Sequence, residues 1–491
     1  MSPARPVPRR RLLVAATLVI LLVLAAWLVF GRDTDRLEAL RDLPAVERVA
    51  EDGSAVDVVL RPGARERDVV AALDALPDDV RGGALRLGRA TLRFDGRGTT
   101  VEEVAPALVA AARLRGRAQA IELRGGSGRT RVEASVARRS RAAAVARELL
   151  DRLAPAGAPA LGSVDVLEVA LQGTLQGDEA VVIGDVGTQR PGPVRAALAA
   201  ASSATLARRE PVVRAYAAGV ELRVGASGIA DVGRAWRGVA SAVPRDRRSI
   251  MLYVELPDRG DGTGLGDRSG KRFPALSGTI GADPDRALAA LRALGPDAER
   301  PFAQPDLGYV SGRLPDAAEA RRAIAALDRL GARRLDIAWP APDDAPGTSS
   351  DDRQDVELDD DPATVAALVA GVARAQAAGI PSIRWQSQTA TGFPRLTLAR
   401  RRGVAATTKL ADRPAQLRRT ARAIRAIGWP GTATFEVLLG PGSCSNTPNA
   451  QAVVRITSTS DGRARKAEQG AACTDDAVIR AARRAWNATA R

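Results

Sequence analysis

The stretch VDVVLRPGARERDVVAALDAL, residues 56–76, carries the signals of one strand, one turn and one helix in succession. Residues 56–60 alternate in the pattern of a strand with one buried face. Pro62 and Gly63 then end that pattern. The apolar residues that follow recur every three or four positions, as on the buried side of an amphipathic helix, and they are Val69, Val70, Leu73 and Leu76.

The same succession recurs along the chain. Strand-like stretches such as residues 91–94, 220–224 and 355–358 run into Gly, Pro or Asp and then into an Ala- and Leu-rich helix. Gly often follows the helix, as at Gly331, where it permits a left-handed cap. The unit is a helix with usually two strands, repeated irregularly about every 32 to 61 residues. Helix starts are expected near residues 64, 100, 138, 192, 228, 284, 316, 362, 413 and 474.

This repeat predicts an α+β fold made of tandem ββα-type units. One unit leaves a flank of its sheet open, whereas two neighbours can share a four-stranded sheet. Pairing with split βαβ connections predicts ferredoxin-like two-layer sandwiches with mainly antiparallel sheets. The competing architecture is a single large sheet with interleaved helices. The short strands and frequent turn residues favour the paired modules.

The N-terminal segment predicts a membrane anchor. Residues 12–30 hold no charge, and a helix of that length nearly crosses a hydrocarbon layer of about 30 Å. Arginines without acids precede it, which favours a cytoplasmic tail at residues 1–11 and an extracytoplasmic bulk. The alternatives are a cleaved signal peptide, whose apolar run is usually about 7 to 15 residues, and a twin-arginine export signal at residues 9–13.

The length of the chain beyond the anchor predicts several cores. The Ala- and Pro-rich stretch at residues 154–162 is the clearest linker. The expected division is a basic tail at 1–11, an anchor at 12–30 and α+β modules at 31–155, 163–300, 301–400 and 401–491.

The net charge of +15 is concentrated at the two ends of the chain. Residues 400–491 carry 17 basic and 6 acidic side chains, whereas residues 32–399 balance at 51 of each. A basic last module predicts binding to a polyanion such as an acidic wall polymer or anionic lipid, and nucleic acid is not expected outside the cell. Solvated surface charge is the alternative. The candidate residues are Arg400, Arg401, Arg402, Arg418, Arg419, Arg422 and Arg425.

The two cysteines, Cys444 and Cys473, both lie in the last module. An even pair in an exported chain predicts a disulfide. The alternative is two free buried thiols. Because the chain has no histidine, the cysteines cannot complete the usual four ligands of a zinc site.

Two polar loops resemble binding motifs only superficially. Residues 260–272 lack the glycine spacing and the Ser or Thr of a phosphate-binding loop. The tripeptide Arg259-Gly260-Asp261 matches a cell-adhesion motif, but its residue types are common in this chain, and the match is expected by chance. Residues 343–362 are rich in carboxylates but lack the register of an EF-hand. No cofactor or metal is therefore expected; for calcium, the first candidates are Asp351, Asp352 and Asp355.

The absence of histidine excludes Ser-His-Asp and Cys-His catalysis. Carboxylate chemistry stays open, because the separation of two acids depends on the fold. Asp336 and Glu436 lie within apolar strand patterns, but alternation is expected to turn both towards water.

The leading hypothesis is a membrane-anchored scaffold or binding protein of a bacterial envelope, without enzyme activity. Its partners are the lipid bilayer, through residues 12–30, and an envelope protein or anionic wall polymer. The alternatives are a carboxylate-based envelope hydrolase and a polyanion-binding protein that uses the last module.

Overall fold

The computed structural model describes much of the chain beyond the predicted anchor. The described residues are 37–52, 55–77, 80, 82–94, 101–114, 118, 120–126, 129–153, 165–171, 179–184, 191–244, 246, 250–257, 272–340, 355–377, 382–387, 394–399, 414–429, 432–441, 451–458, 463–469 and 476–490. The chain divides into two compact units. The first unit covers residues 1–223 and 241–251, and the second covers 224–240 and 252–491.

The first unit is built from hairpins that alternate with helices. Its strands are β1 (Val46–Asp52), β2 (Ala55–Leu60), β3 (Gly82–Leu87), β4 (Ala90–Phe94), β5 (Ala120–Gly126), β6 (Arg129–Val136), β7 (Val166–Leu171), β8 (Glu179–Gly184), β9 (Val212–Tyr216) and β10 (Gly219–Gly225), whose last two residues belong to the second unit. Its helices are α1 (Glu66–Asp74), α2 (Val101–Ala112), α3 (Ala142–Leu153), α4 (Pro191–Ala201) and the short α5 (Ala204–Ala207).

The second unit repeats this arrangement. Its helices are α6 (Ile229–Ala242), α7 (Asp285–Leu294), α8 (Ala317–Leu330), α9 (Pro362–Ala377), α10 (Pro414–Arg425) and α11 (Asp476–Asn487). Its strands are β11 (Met251–Pro257), β12 (Arg272–Thr279), β13 (Glu299–Ala303), β14 (Val310–Arg313), β15 (Leu335–Pro340), β16 (Asp355–Asp360), β17 (Ser382–Ser387), β18 (Pro394–Ala399), β19 (Ala433–Pro441), β20 (Gln451–Ser458) and β21 (Ala464–Gln469). The last two residues of α6 and the first residue of β11 belong to the first unit.

The α+β class is confirmed, and the helix starts lie close to the expected positions. Local capping explains this accuracy. Asp361 accepts hydrogen bonds from the amide of Thr364 at 3.0 Å and from its hydroxyl at 2.7 Å at the start of α9. Gly331 ends α8 in the left-handed conformation, with φ of 78°. The sequence contains both signals in full.

The strand pairing corrects the expected ferredoxin-like sandwiches. In the first unit, each hairpin pairs antiparallel internally and parallel with the next hairpin across a helix, as in β1/β2 followed by β2/β3. From β12 to β20 the second unit does the same, and β20/β21 adds one antiparallel pair. Each unit therefore has a continuous mixed sheet, as in the competing architecture, because a βαβ crossover places consecutive hairpins side by side.

One face of each sheet is covered by the helices, which pack against their neighbours from one repeat to the next. Alternate strand residues are buried there, as in β2 and β15. The core is mostly Ala, Val and Leu, with Trp236, Trp339, Trp385 and Trp486 as its largest fully buried side chains. The opposite sheet face has no helix layer among these elements, so its polar residues face outward.

The predicted anchor, at residues 12–30, lies outside the described residues. None of the described helices has both the length and the apolar character needed to cross a bilayer. The expected module limits near 155–163 and 400 also fall in segments outside the described ranges and stay predictions, whereas the limit between 300 and 301 lies within β13.

Candidate functional site

The outward sheet face of the first unit carries a continuous ladder of ion pairs. We define the charge ladder as six side chains on β4 to β7: Arg93, Glu122, Arg124, Glu133, Arg131 and Glu168. Successive partners from Arg93 to Glu133 lie 2.9 to 3.6 Å apart, and Arg131 bridges Glu133 and Glu168. The register places arginines opposite arginines and glutamates opposite glutamates, so each charge finds its partner on the diagonal. The ladder is therefore neutral, and each of its six charges takes part in an ion pair.

A shallow concavity of about 420 Å³ lies at one end of this ladder. Asp57, Arg86, Thr91, Arg93 and Glu122 supply its polar lining. Arg86 donates to Asp57 at 3.1 Å, and Arg93 pairs with Glu122 at 2.9 Å. A charged ligand would compete with these ion pairs for the same side chains, which makes the concavity a weak ligand site.

The second unit carries a tyrosine–aspartate cluster, which consists of Tyr309, Arg334, Asp336 and Asp359. The Tyr309 hydroxyl donates to Asp336 at 2.7 Å. Arg334 donates to both oxygens of Asp359, each at 2.6 Å. Asp336 and Asp359 are opposite each other in the β15/β16 register. Each carboxylate therefore has its own donor, and the cluster is a compensated pair rather than an exposed acid dyad.

The environment of Tyr309 keeps its hydroxyl protonated. Burial, followed by the hydrogen bond to Asp336 and the charge of that carboxylate, raises the pKa of Tyr309 well above its ordinary value. A phenol in this state donates a hydrogen bond but is a poor base or nucleophile. Its arrangement favours a structural role in joining β14 to β15.

We expect the stabilising contribution of Tyr309 to be lost at alkaline pH. Its folded-state pKa is raised above the unfolded value, so its contribution is complete below about pH 10 and is lost as the pH rises further. The loss has an upper limit of about 1.4 kcal/mol per pH unit. Few other groups titrate there, since the chain has three tyrosines, three lysines and no histidine.

Urea unfolding of the wild type and of Tyr309→Phe, from about pH 9 to about pH 11.5, measures this slope. Tyr309→Phe should flatten it and cost about 1 kcal/mol near neutral pH. Tyr216→Phe is the matched control, because Tyr216 is 43% exposed. Equal alkaline slopes in the wild type and in Tyr309→Phe would contradict this assignment.

The last repeat presents a different surface, on its helix layer. α10 and α11 pack against each other, and each exposes arginines on its outer side. We define the basic helix face by these exposed residues: Arg418, Arg419 and Arg422 on α10, and Arg480, Arg483 and Arg484 on α11. None of the six forms an ion pair with another residue in the part of the chain that the structure describes.

An aromatic cluster joins the two helices beneath this face. The rings of Trp429 and Phe435 lie 4.3 Å apart, and those of Phe435 and Trp486 lie 5.1 Å apart. Arg425 is half-buried above the Trp486 ring, with its guanidinium carbon 5.3 Å from the ring centroid. It also donates to the Thr489 hydroxyl at 2.9 Å. Arg425 therefore fastens α10 to α11 and is not part of the exposed face.

Of the seven arginines predicted to bind a polyanion, Arg418, Arg419 and Arg422 are exposed, and their binding role stays a prediction. Arg425 has a structural role instead. Arg400, Arg401 and Arg402 lie outside the described residues, as do Cys444 and Cys473. The arginines of α11 were missed, although Arg480 and Arg484 are separated by one helical turn and lie opposite the buried Ala482 and Trp486. A helical projection of residues 476–487 contains that signal.

The other candidates take positions within strands or outside the described residues. Asp336 accepts from Tyr309, as described, and Glu436 is opposite Arg455 in the β19/β20 register. Asp355 begins β16 opposite Pro340, whereas Asp351 and Asp352 lie outside the described residues. Among the described residues, no three acidic, cysteine or histidine side chains are grouped to hold a metal ion.

Three comparisons with known proteins identify no relative of this chain. The chain matches no protein-family model, and neither the curated proteins nor the solved structures contain a significant match to it.

Proposed function

We propose that this chain is a binding or scaffold protein of a bacterial envelope, anchored by residues 12–30 with its bulk outside the cytoplasm. The single observation that best supports a binding role is the succession of hairpins and helices within each unit, which extends one polar sheet face across many strands. Repeat proteins bind partners through such extended surfaces.

The state of the carboxylates supports binding over hydrolysis. A carboxylate-based glycosidase needs one acid held protonated and a second acid free to act at a defined separation. Asp336 and Asp359 each accept a hydrogen bond from a separate donor. The glutamates of the charge ladder are likewise paired with arginines. We therefore propose no enzyme activity.

The basic helix face favours a second role within the same proposal, which is binding of an anionic wall polymer. The described residues of the last repeat carry eleven basic side chains against the acids Glu436, Glu468 and Asp476. This excess gives the repeat a positive potential that attracts a polyanion from a distance.

Cell fractionation tests the proposed location. We expect the full chain to stay in the membrane fraction after an alkaline carbonate wash, to keep its residues 1–31, and to be digested by protease added to spheroplasts. A variant that lacks residues 1–31 is the control and should leave the membrane fraction. Recovery of the full chain in the cytoplasm, or a mature N-terminus beyond Gly31, would overturn the anchor.

A further inference from the structure

The arginines of the basic helix face are arranged at a local energetic cost. Arg418 and Arg422 are four residues apart, as are Arg480 and Arg484. Like charges at this spacing destabilise a helix by roughly 0.2 to 0.5 kcal/mol per pair. Arg422 and Arg484 lie in the last turns of their helices, where the helix dipole favours a cation. Helix stability therefore accounts for these two arginines but not for Arg418, Arg419, Arg480 and Arg483.

Several exposed arginines elsewhere in the described residues have acidic partners, whereas Arg321 and Arg329 donate only to backbone carbonyls of their own helix. Arg152 pairs with Glu148 at 3.0 Å on α3, and Arg322 pairs with Glu319 on α8. Arg237 reaches Asp285 at 3.2 Å. The basic helix face differs from the paired arginines in its surroundings, because the only acidic residue on α10 or α11 is Asp476, in the first turn of α11.

The face also lies above a packed aromatic cluster. Trp429, Phe435 and Trp486 fill the space beneath α10 and α11, and Arg425 spans the two helices from the Trp486 ring to Thr489. A surface fixed in this way loses little conformational entropy when a ligand binds, apart from the ordering of the arginine side chains.

The chemistry of the face fits phosphate groups on a linear polymer. Guanidinium groups bind phosphate with two parallel hydrogen bonds, and they stay charged at any physiological pH. Arginines one turn apart on a helix are about 6 Å apart along its axis, so the two helices offer two short rows of cations. A flexible chain with closely spaced phosphates can contact both rows.

A bilayer is a poorer match for this face. A helix that lies in a membrane interface inserts Trp, Phe or Leu from its apolar side. The apolar sides of α10 and α11 are turned inward, and among the described residues Tyr216, in the first unit, is the exposed large hydrophobic side chain. The basic helix face therefore has charge without a group for insertion.

We propose that Arg418, Arg419, Arg422, Arg480, Arg483 and Arg484 form a binding surface for a linear, phosphate-bearing polyanion. This inference deepens the proposed function and rests on its binding role, because it names the surface and the chemistry of the partner. It does not depend on the anchor. Fractionation therefore tests the location, the binding titration tests the basic helix face, and either result can be negative without the other.

The test is titration of the full chain, in nanodiscs of zwitterionic phosphatidylcholine, with long-chain inorganic polyphosphate from about 50 to about 300 mM salt. Six phosphate contacts predict a slope of log K against log salt of roughly −4, from about 0.7 per contact on a single strand. Arg480→Gln, Arg483→Gln and Arg484→Gln together should bring the slope to roughly −2 and weaken binding at least tenfold near 100 mM salt. The same result is expected for Gln at Arg418, Arg419 and Arg422.

The matched control replaces three exposed arginines of α8, Arg321, Arg322 and Arg329, with glutamine. It removes the same charge from the same unit and should leave binding within about twofold. Thermal unfolding of all variants checks that each still folds. Equal weakening by the control triple, or binding that ignores salt, would overturn the proposal in favour of a diffuse charge effect.

Phosphatidylglycerol vesicles, added as a competitor at equal phosphate concentration, decide between polymer and membrane. We expect them to displace little polyphosphate. If they displace it efficiently and the arginine variants abolish vesicle binding, the face is a membrane contact and the polymer proposal is wrong.

Discussion

Gly371→Ala is expected to destabilise the second unit by about 2 to 3 kcal/mol. Gly371 is buried within α9, where it faces the end of α10. A Cβ atom built there would lie 1.6 Å from the carbonyl oxygen of Ile427 and 2.3 Å from its carbonyl carbon. Both atoms belong to the backbone, so no side-chain rotation can relieve the contact.

The same substitution at an open helical site would stabilise the protein. Alanine in place of a helix-interior glycine gains up to about 1 kcal/mol from the lower entropy of the unfolded chain. At position 371 that gain is outweighed, because α9 and the turn that follows α10 have to move apart. The movement would also strain the hydrogen bond from Arg374 Nε to the carbonyl of Ala426, which is 3.0 Å long.

Tryptophan fluorescence during urea unfolding measures this effect in the correct unit. Five of the six tryptophans of the chain lie in the second unit, at positions 236, 339, 385, 429 and 486. Gly228→Ala is the control, since a Cβ atom at position 228 meets nothing within 4 Å. A Gly371→Ala protein as stable as the control would mean that α9 and α10 are not in this close contact.

The sequence was most informative where a structural signal is local. The strand, turn and helix of residues 56–76 are β2, a turn and α1, because alternation, Pro-Gly punctuation and helical periodicity each span only a few residues. The side chain of Asp361 and the left-handed Gly331 mark helix ends for the same reason. The short helix α5 has no such periodicity and was not predicted.

Strand pairing depends on contacts that no short window contains. Alternation in β2 shows which residues are buried, but nothing in residues 55–60 indicates that they pair in parallel with residues 82–87. Two neighbouring ββα repeats can pair as a closed sandwich, or they can continue as an open sheet, with the same local sequence pattern. Packing between successive helices selects the second arrangement, since each helix covers the flank of its neighbour.

The candidate site was likewise predictable only where its signal is local. Arg418, Arg419 and Arg422 were identified by composition and are exposed as expected. Arg425 has the same local sequence context, but its role is set by Trp486 and Thr489, which are 61 and 64 residues away in the chain. Tyr309 was not a candidate, because only the fold brings it to Asp336.

Trp486→Ala is expected to cost about 3 to 5 kcal/mol, the largest effect of any single substitution proposed for this protein. Trp486 is 1% exposed and contacts both Trp429 and Phe435. Its removal leaves a cavity under α11 and takes away the ring below Arg425. The half-buried guanidinium would then lose its cation–π contact, which contributes roughly 0.5 to 2 kcal/mol.

Trp486→Phe is the matched substitution, because it keeps an aromatic ring against Phe435 and removes less volume. It should cost about half as much as Trp486→Ala in urea unfolding. Arg425→Gln should lose most of its own effect in the Trp486→Ala background, since the two side chains act on each other. Additive effects of the two substitutions would show that Arg425 does not depend on the ring.

All six arginines of the basic helix face are unchanged in Trp486→Ala. Weaker polyphosphate binding by that variant, under conditions in which it is folded, would therefore indicate that the aromatic cluster sets the spacing of the two arginine rows.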